Sequence, residues 1–193
     1  MENQTPTQIA QSIYQAATPV LRIRGTGSRQ WIRNVPSTDP RYGPWLQADY
    51  QVLNERAWTA QGPCLYLVGS SDGGVRYVGI SRNGLKHRWR LSPAYDATSR
   101  TPLAKRQLFH SQCWRHVERE LQENFGRSFE VRRLDAVYLV SHLLKMGGPL
   151  AGLAAVQAHG ESVVAGVERW LCNHQSADLA VWNKAMTGKR LAA

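Results

Sequence analysis

The sequence predicts an α/β fold: a strand hairpin in the middle of the chain with amphipathic helices around it. Two patterns carry this. Cys64 to Val68 and Val75 to Ile80 are short apolar runs on either side of Ser70 to Gly74, a turn cluster containing the Asp-Gly signal. Beyond them, Leu108, Cys113, Trp114, Val117 and Leu121 recur at helical spacing, and so do Val164, Val167 and Leu171. A chain of 193 residues, 42% of them hydrophobic, suits one domain whose core needs no staples.

The elements read in order as follows. Thr5 to Ala17 is a short helix with Thr5 as its cap and Pro6 in its first turn. Gly25 to Pro44 is rich in Gly, Pro, Ser and Asp and reads as loop. Around it lie Arg24, Arg29, Trp31, Arg33, Arg41, Tyr42 and Trp45. Such interleaving can stack on bases and grip phosphates, or simply tack a loop to the core. Trp45 to Thr59 has apolar residues close to helical spacing. Residues 1–60 therefore read as an N-terminal extension that wraps the core, with the cluster from Arg24 to Trp45 as its expected nucleic-acid contact. After the hairpin, Leu85 to Leu91 starts a basic helix, which Pro93 and the stretch 92–101 interrupt. Leu103 to Asn124 reads as a long helix ended by Gly126. Phe129 to Val140 has strand character, strongest from Val137 to Val140. Met146 to Gly160 gives no clear pattern. Ser162 to His174 is a helix capped by Ser162 or Glu161. Residues 61–187 form the expected core, with an insertion at about 92–128.

Charge narrows the function. Lys and Arg number 24 against 14 acids, a net charge of +10. A soluble protein this basic suits a polyanion, and nucleic acid is the commonest. The excess is +2 over 1–60, +6 over 61–128 and +2 over 129–193. Arg82, Lys86, Arg90, Arg100, Lys105 and Arg106 follow directly on the hairpin and are the expected nucleic-acid contacts; a merely solvated face is the plain alternative. No stretch reaches the roughly 18 apolar residues of a membrane span. The first ten residues lack the pattern of a signal peptide. Cys64, Cys113 and Cys172 are odd in number and far apart, which suggests neither a disulfide framework nor a zinc site. A cytoplasmic protein with reduced thiols is expected.

The chemistry centres on a few residues. If Gly69 pairs with Gly74, Tyr66 lies opposite Tyr77 and both phenols share a face; a one-residue slip would separate them. Paired tyrosines on a hairpin are ordinarily cross-strand packing. Glu168 lies within or beside the apolar stripe of its helix. A carboxylate there is expensive unless it is paired or binds a cation. A salt bridge to an arginine is the plain alternative.

In order along the chain, Cys64-Leu65-Tyr66, then Tyr77-Val78-Gly79, Arg88 before Trp89, Glu168 on a helix and Asn183 after Val181-Trp182 resemble the GIY-YIG endonuclease signature. The resemblance covers 64–91 and 163–184. It implies a small three-stranded antiparallel sheet flanked by helices, and hydrolysis of a DNA phosphodiester with one Mg²⁺ or Mn²⁺ held by Glu168. Tyr66, Tyr77, Arg88, Glu168 and Asn183 would be the catalytic residues. Arg88 would bind the phosphate, Tyr66 would orient or deprotonate the water, Tyr77 would hold the water or a phosphate oxygen, and Asn183 would brace the hairpin. A phenol titrates near pH 10, so a base role needs adjacent positive charge from Arg88, Arg76 or Lys86. Two departures stand. Cys64 replaces glycine, and Ser92 occupies the place where many members carry a histidine or tyrosine; His87, Tyr95, His110 and His116 are the candidates to replace it. A chain of this size suggests a restriction or host-defence enzyme on double-stranded DNA, with a homodimer suited to a two-fold site. A mobile-element or phage nuclease, or a nucleic-acid-binding module without cleavage, are the alternatives.

Overall fold

The computed structural model describes residues 4–29, 45–89, 95–96, 113–124, 126–156 and 160–183. It opens with α1 (Pro6–Ala16), fixed by a reciprocal capping box in which the Thr5 hydroxyl accepts the Gln8 amide and the Gln8 side chain accepts the Thr5 amide. Ile9, Ala10 and Ile13 of this helix are buried.

The next elements are β1 (Thr18–Arg29), β2 (Trp45–Val52) and α2 (Glu55–Thr59). Two expectations are corrected here. Residues 25–29 belong to a strand, and the rest of that expected loop, 30–44, lies outside the described residues. Trp45 to Val52 is also a strand, because its backbone pairs antiparallel with β1, with Leu21 opposite Val52. The helix in that stretch is confined to α2, where the Asn54 side chain accepts the Ala57 amide at 2.9 Å.

Then come β3 (Cys64–Ser70), β4 (Val75–Ser81), α3 (Leu85–Trp89), β5 (Tyr95–Asp96), α4 (Trp114–Glu123) and β6 (Phe129–Asp135). The chain continues through α5 (Ala136–Met146), α6 (Pro149–Val156) and α7 (Gly160–Asn173). The strand expected at Val137 to Val140 is the first turn of α5. β-branched residues there follow the burial of Leu139 and Leu143 on a helix face, so tertiary packing overrides local preference. The unpatterned stretch contains α6, which begins at Pro149. Ser162 and Glu161 lie inside the first turn of α7 rather than capping it.

The strands form a single antiparallel sheet in the order β4-β3-β6-β1-β2-β5, the last contributing only two residues. The expected three-stranded unit is β4-β3-β6; the sheet is larger because β1 pairs with β6 and carries β2 with it. Within residues 4–29 and 45–59 the chain thus lengthens the sheet and contributes to the core. On one face, α1, α5, α6 and α7 bury side chains with Leu65, Leu67 and Val78. On the other, Tyr66, Val68, Tyr77, Phe129 and Val131 pack with Trp58, Leu85, Trp89, Cys113 and Val117. All three cysteines are buried and unpaired with each other. Among the described residues no helix is long and apolar enough to cross a membrane.

One buried cation ties the halves of the chain together. Arg133 of β6 is 2% exposed. Its Nη1 donates to the carbonyls of Ala57 and Ala60, Nη2 to Gln61, and Nε to Asp135 at 2.6 Å. It thereby satisfies carbonyls that α2 leaves open at its C-terminal end. Arg133→Met should cost about 3 kcal/mol, since a buried cation's site is lost and three part-buried carbonyls and Asp135 lose their donor. Urea unfolding checks this, with a lowered midpoint at unchanged slope.

Candidate active site

The hairpin places the tyrosines. Tyr66 pairs with Gly79 and Val68 with Tyr77, and a bulge at Arg76 then sets Gly69 opposite Val75. The register therefore differs from a Gly69–Gly74 pairing, and the two tyrosines lie on a diagonal rather than face to face. Parity is kept, so both rings share a face, with centroids 6.0 Å apart. Asp72 fixes the turn. It accepts from the Ser70 hydroxyl, from the Gly74 amide and from Arg76 Nη2 at 2.7 Å. Burial works against its charge, yet these donors hold its carboxyl at about 2. Arg76 is thus engaged at the turn and does not serve Tyr66.

Gly79 is needed for close approach. A Cβ there would come within 2.5 Å of the Tyr66 hydroxyl and ring. The Tyr66 ring therefore lies flat over the backbone of β4, fully buried, with Trp89 edge-on at 6.2 Å. Arg88, one residue before Trp89 on α3, donates from Nε to the Tyr66 hydroxyl at 3.4 Å. Burial disfavours the Arg88 charge, but Tyr66, Tyr77 and Glu168 around it raise its pKa above the ordinary arginine value. Tyr77 shares a hydrogen bond with Tyr66. Burial, with further contributions from Tyr66 and Cys113, pushes its hydroxyl far above the ordinary phenol range. Tyr77 is neutral at any working pH.

Glu168 comes from α7, on the opposite layer, within electrostatic reach of Arg88. Its carboxylate accepts the backbone N–H of Ile80. Burial raises its pKa to about 7, against the lowering effects of Arg88 and that amide. One turn later, Cys172 is pushed up to about 12 by burial and by the Glu168 charge. Asn183 grips the same edge: its Oδ1 accepts the Val78 amide at 2.9 Å and its Nδ2 donates to the Val78 carbonyl at 2.8 Å.

The structure thus brings Tyr66, Tyr77, Arg88, Glu168 and Asn183 around β4. The other expected residues scatter. Arg82 pairs with Glu161 at 2.6 Å on the surface, a contact worth little in water. Lys86 is exposed on α3. Arg90, Arg100, Lys105 and Arg106 lie outside the described residues, as does His110. Of the candidates to replace the missing histidine, His116 stacks on Trp182 at 5.4 Å and contacts Arg119 through Nδ1.

Three contributors escape a reading of the sequence: the Ile80 amide, Cys113 and the Trp89 ring. Backbone groups and packing partners leave no motif. The only signal for Trp89 was its place after the arginine.

The chain matches no family model, no curated protein and no solved structure.

The chemistry of the site follows from its donors. Among the described residues no three His, Cys, Asp or Glu side chains gather as a cation cage. A hard cation that keeps most of its waters needs only one or two carboxylates, and Glu168 fits that requirement. A separate cleft of about 430 Å³ opens beside Arg133, Asp135, Tyr138 and His142; neither Arg88 nor Glu168 lines it.

The raised Glu168 pKa has a stability consequence. The folded state favours the neutral acid, so the stabilisation is fully present below about 4.5 and is lost as pH rises through about 7. Glu168→Gln should match the native chain at pH 4 and exceed it at pH 8, by at most a few kcal/mol. Thermal melts of both chains without added cation, at both pH values, check this.

Proposed function

We propose that the protein is a metal-dependent DNA endonuclease of the GIY-YIG type, acting in restriction or host defence. The carrying observation is the convergence of Arg88 and Glu168, from opposite layers of the sheet, at the Ile80 end of the hairpin. A half-buried carboxylate poised near neutrality, within electrostatic reach of a raised arginine, is the kind of perturbed pair that marks reaction sites. The net charge of +10 favours a polyanionic substrate.

Each residue then has a part. Glu168 would hold Mg²⁺ or Mn²⁺. That ion, when bound, supplies Lewis-acid polarisation of the scissile phosphate. The Arg88 guanidinium would bind the phosphate oxygens through charge-assisted hydrogen bonds, for which its planar fork is suited. Tyr66, buried beneath Arg88, would position that guanidinium. For Tyr66 also to take a proton from water, its hydroxyl would have to be uncovered by substrate. Tyr77 stays protonated and donates to Tyr66. Asn183 would hold β4 straight at the place where Gly79 and Ile80 meet the site.

A second reading, a nucleic-acid-binding module without cleavage, is favoured by the complete burial of Tyr66 and by Ser92 in the usual histidine position. One assay separates the two. Supercoiled plasmid should be cut with Mg²⁺ or Mn²⁺ and not with EDTA, and Glu168→Ala and Arg88→Ala should each lose activity by roughly 10²-fold or more. Discrete fragments would point to a restriction enzyme. A DNA shift without cutting under every condition would establish the binding module and overturn the nuclease. Tyr66→Phe then apportions its role: a loss of roughly 10²- to 10⁴-fold marks a proton acceptor, and a loss of about tenfold marks a positioning residue.

A further inference from the structure

Among the described residues four large apolar side chains are exposed, and three of them lie on α5: Val137 at 74%, Tyr138 at 68% and Leu144 at 51%. The inner face of α5 is accounted for by Ala136, Leu139 and Leu143. The outer face is therefore a second apolar stripe on the same helix, which a solvated surface helix does not need.

The order of residues along the stripe indicates what covers it. Ser141, small and exposed, lies midway between Val137 and Leu144. Its hydroxyl is turned back onto the Val137 carbonyl at 3.2 Å, which leaves the centre of the stripe low. Asp135 stands at the N-terminal end, 42% exposed, and Lys145 stands exposed in the last turn. Acid at one end, base at the other and a small residue between them is self-complementary under a two-fold rotation. An antiparallel copy of α5 crossing at Ser141 lays Val137 and Tyr138 against the copy's Leu144. It also brings Lys145 toward the copy's Asp135, and each helix end meets the opposite pole of its neighbour.

From this stripe and its charge order, we propose that the outer face of α5 is the interface of a two-fold homodimer built on an antiparallel α5 pair. The inference is independent of the nuclease reading. One helix face is smaller than the roughly 800 Å² per partner of a standard interface, so association in the micromolar range is expected.

Two measurements test it on the full chain. Light scattering behind size exclusion at about 10–100 µM should give the dimer mass for the native chain and the monomer mass for Leu144→Asp, an affinity loss of about 100-fold. Ser141→Cys should form a covalent dimer under mild oxidation, because the crossing point meets itself. The native thiols are buried and do not compete. Glu123→Cys, exposed on α4, is the control that should not cross-link. Leu144 is already half exposed, so Leu144→Asp should fold, and circular dichroism checks that it does. A native monomer at every concentration, a dimer indifferent to Leu144→Asp, or equal cross-linking at Ser141 and Glu123 would each overturn the proposal. In the first case a different occupant covers the stripe.

Discussion

The acceptance of the Ile80 amide by Glu168 is the contact on which the rest of the site depends. β4 is the last strand of its sheet, and an end strand presents a row of unpaired backbone groups. Here several groups of that row are closed by the chain that follows α6. Ala180 donates to the Val75 carbonyl and Trp182 to the Arg76 carbonyl, Asn183 takes both polar groups of Val78, and Glu168 takes the Ile80 amide. Arg76, Val78 and Ile80 alternate along the strand, so their backbone groups face the same edge. The helix α7 and the segment after it thus finish a sheet edge that the hairpin leaves open. The last link is made by a carboxylate that burial penalises.

That penalty gives the site its chemistry. A carboxylate accepting one amide in a half-buried place is neither fully satisfied nor fully solvated. Its pKa stays near 7, with Arg88 opposing the effect of burial. Arg88 is in turn fixed from below by Tyr66, whose ring can lie on β4 only because Gly79 has no Cβ. Trp89 and Tyr77 pack Tyr66 from two sides. Gly79, Tyr66, Arg88 and Glu168 are thus linked in turn, by close packing, by a hydrogen bond and by electrostatic attraction.

Much of this was legible in the residues. The hairpin announced itself through two apolar runs and an Asp-Gly turn, and the inward tilt of Glu168 through its distance from Val164 and Leu171. The tyrosines could be placed on one face because a register error of two preserves parity. What stayed hidden was non-local. The bulge at Arg76 is set by Asp72 and its partners. The conversion of Trp45 to Val52 into a strand required β1 to pair with it, and the helix at Val137 required the core beneath Leu139 and Leu143. The size of the sheet was hidden for the same reason, since β1 joins β6 across more than half the chain.

The most direct test of the account follows the Glu168 carboxyl itself by carbon NMR across pH, with and without millimolar Mg²⁺. Without the cation the carboxyl should titrate near 7. With it, the midpoint should fall by about one pH unit or more, because a cation competes with the proton for the same oxygens. A midpoint at the ordinary glutamate value of about 4.5 would contradict the buried edge contact. A raised midpoint that Mg²⁺ does not move would leave the contact intact and remove the cation from the site.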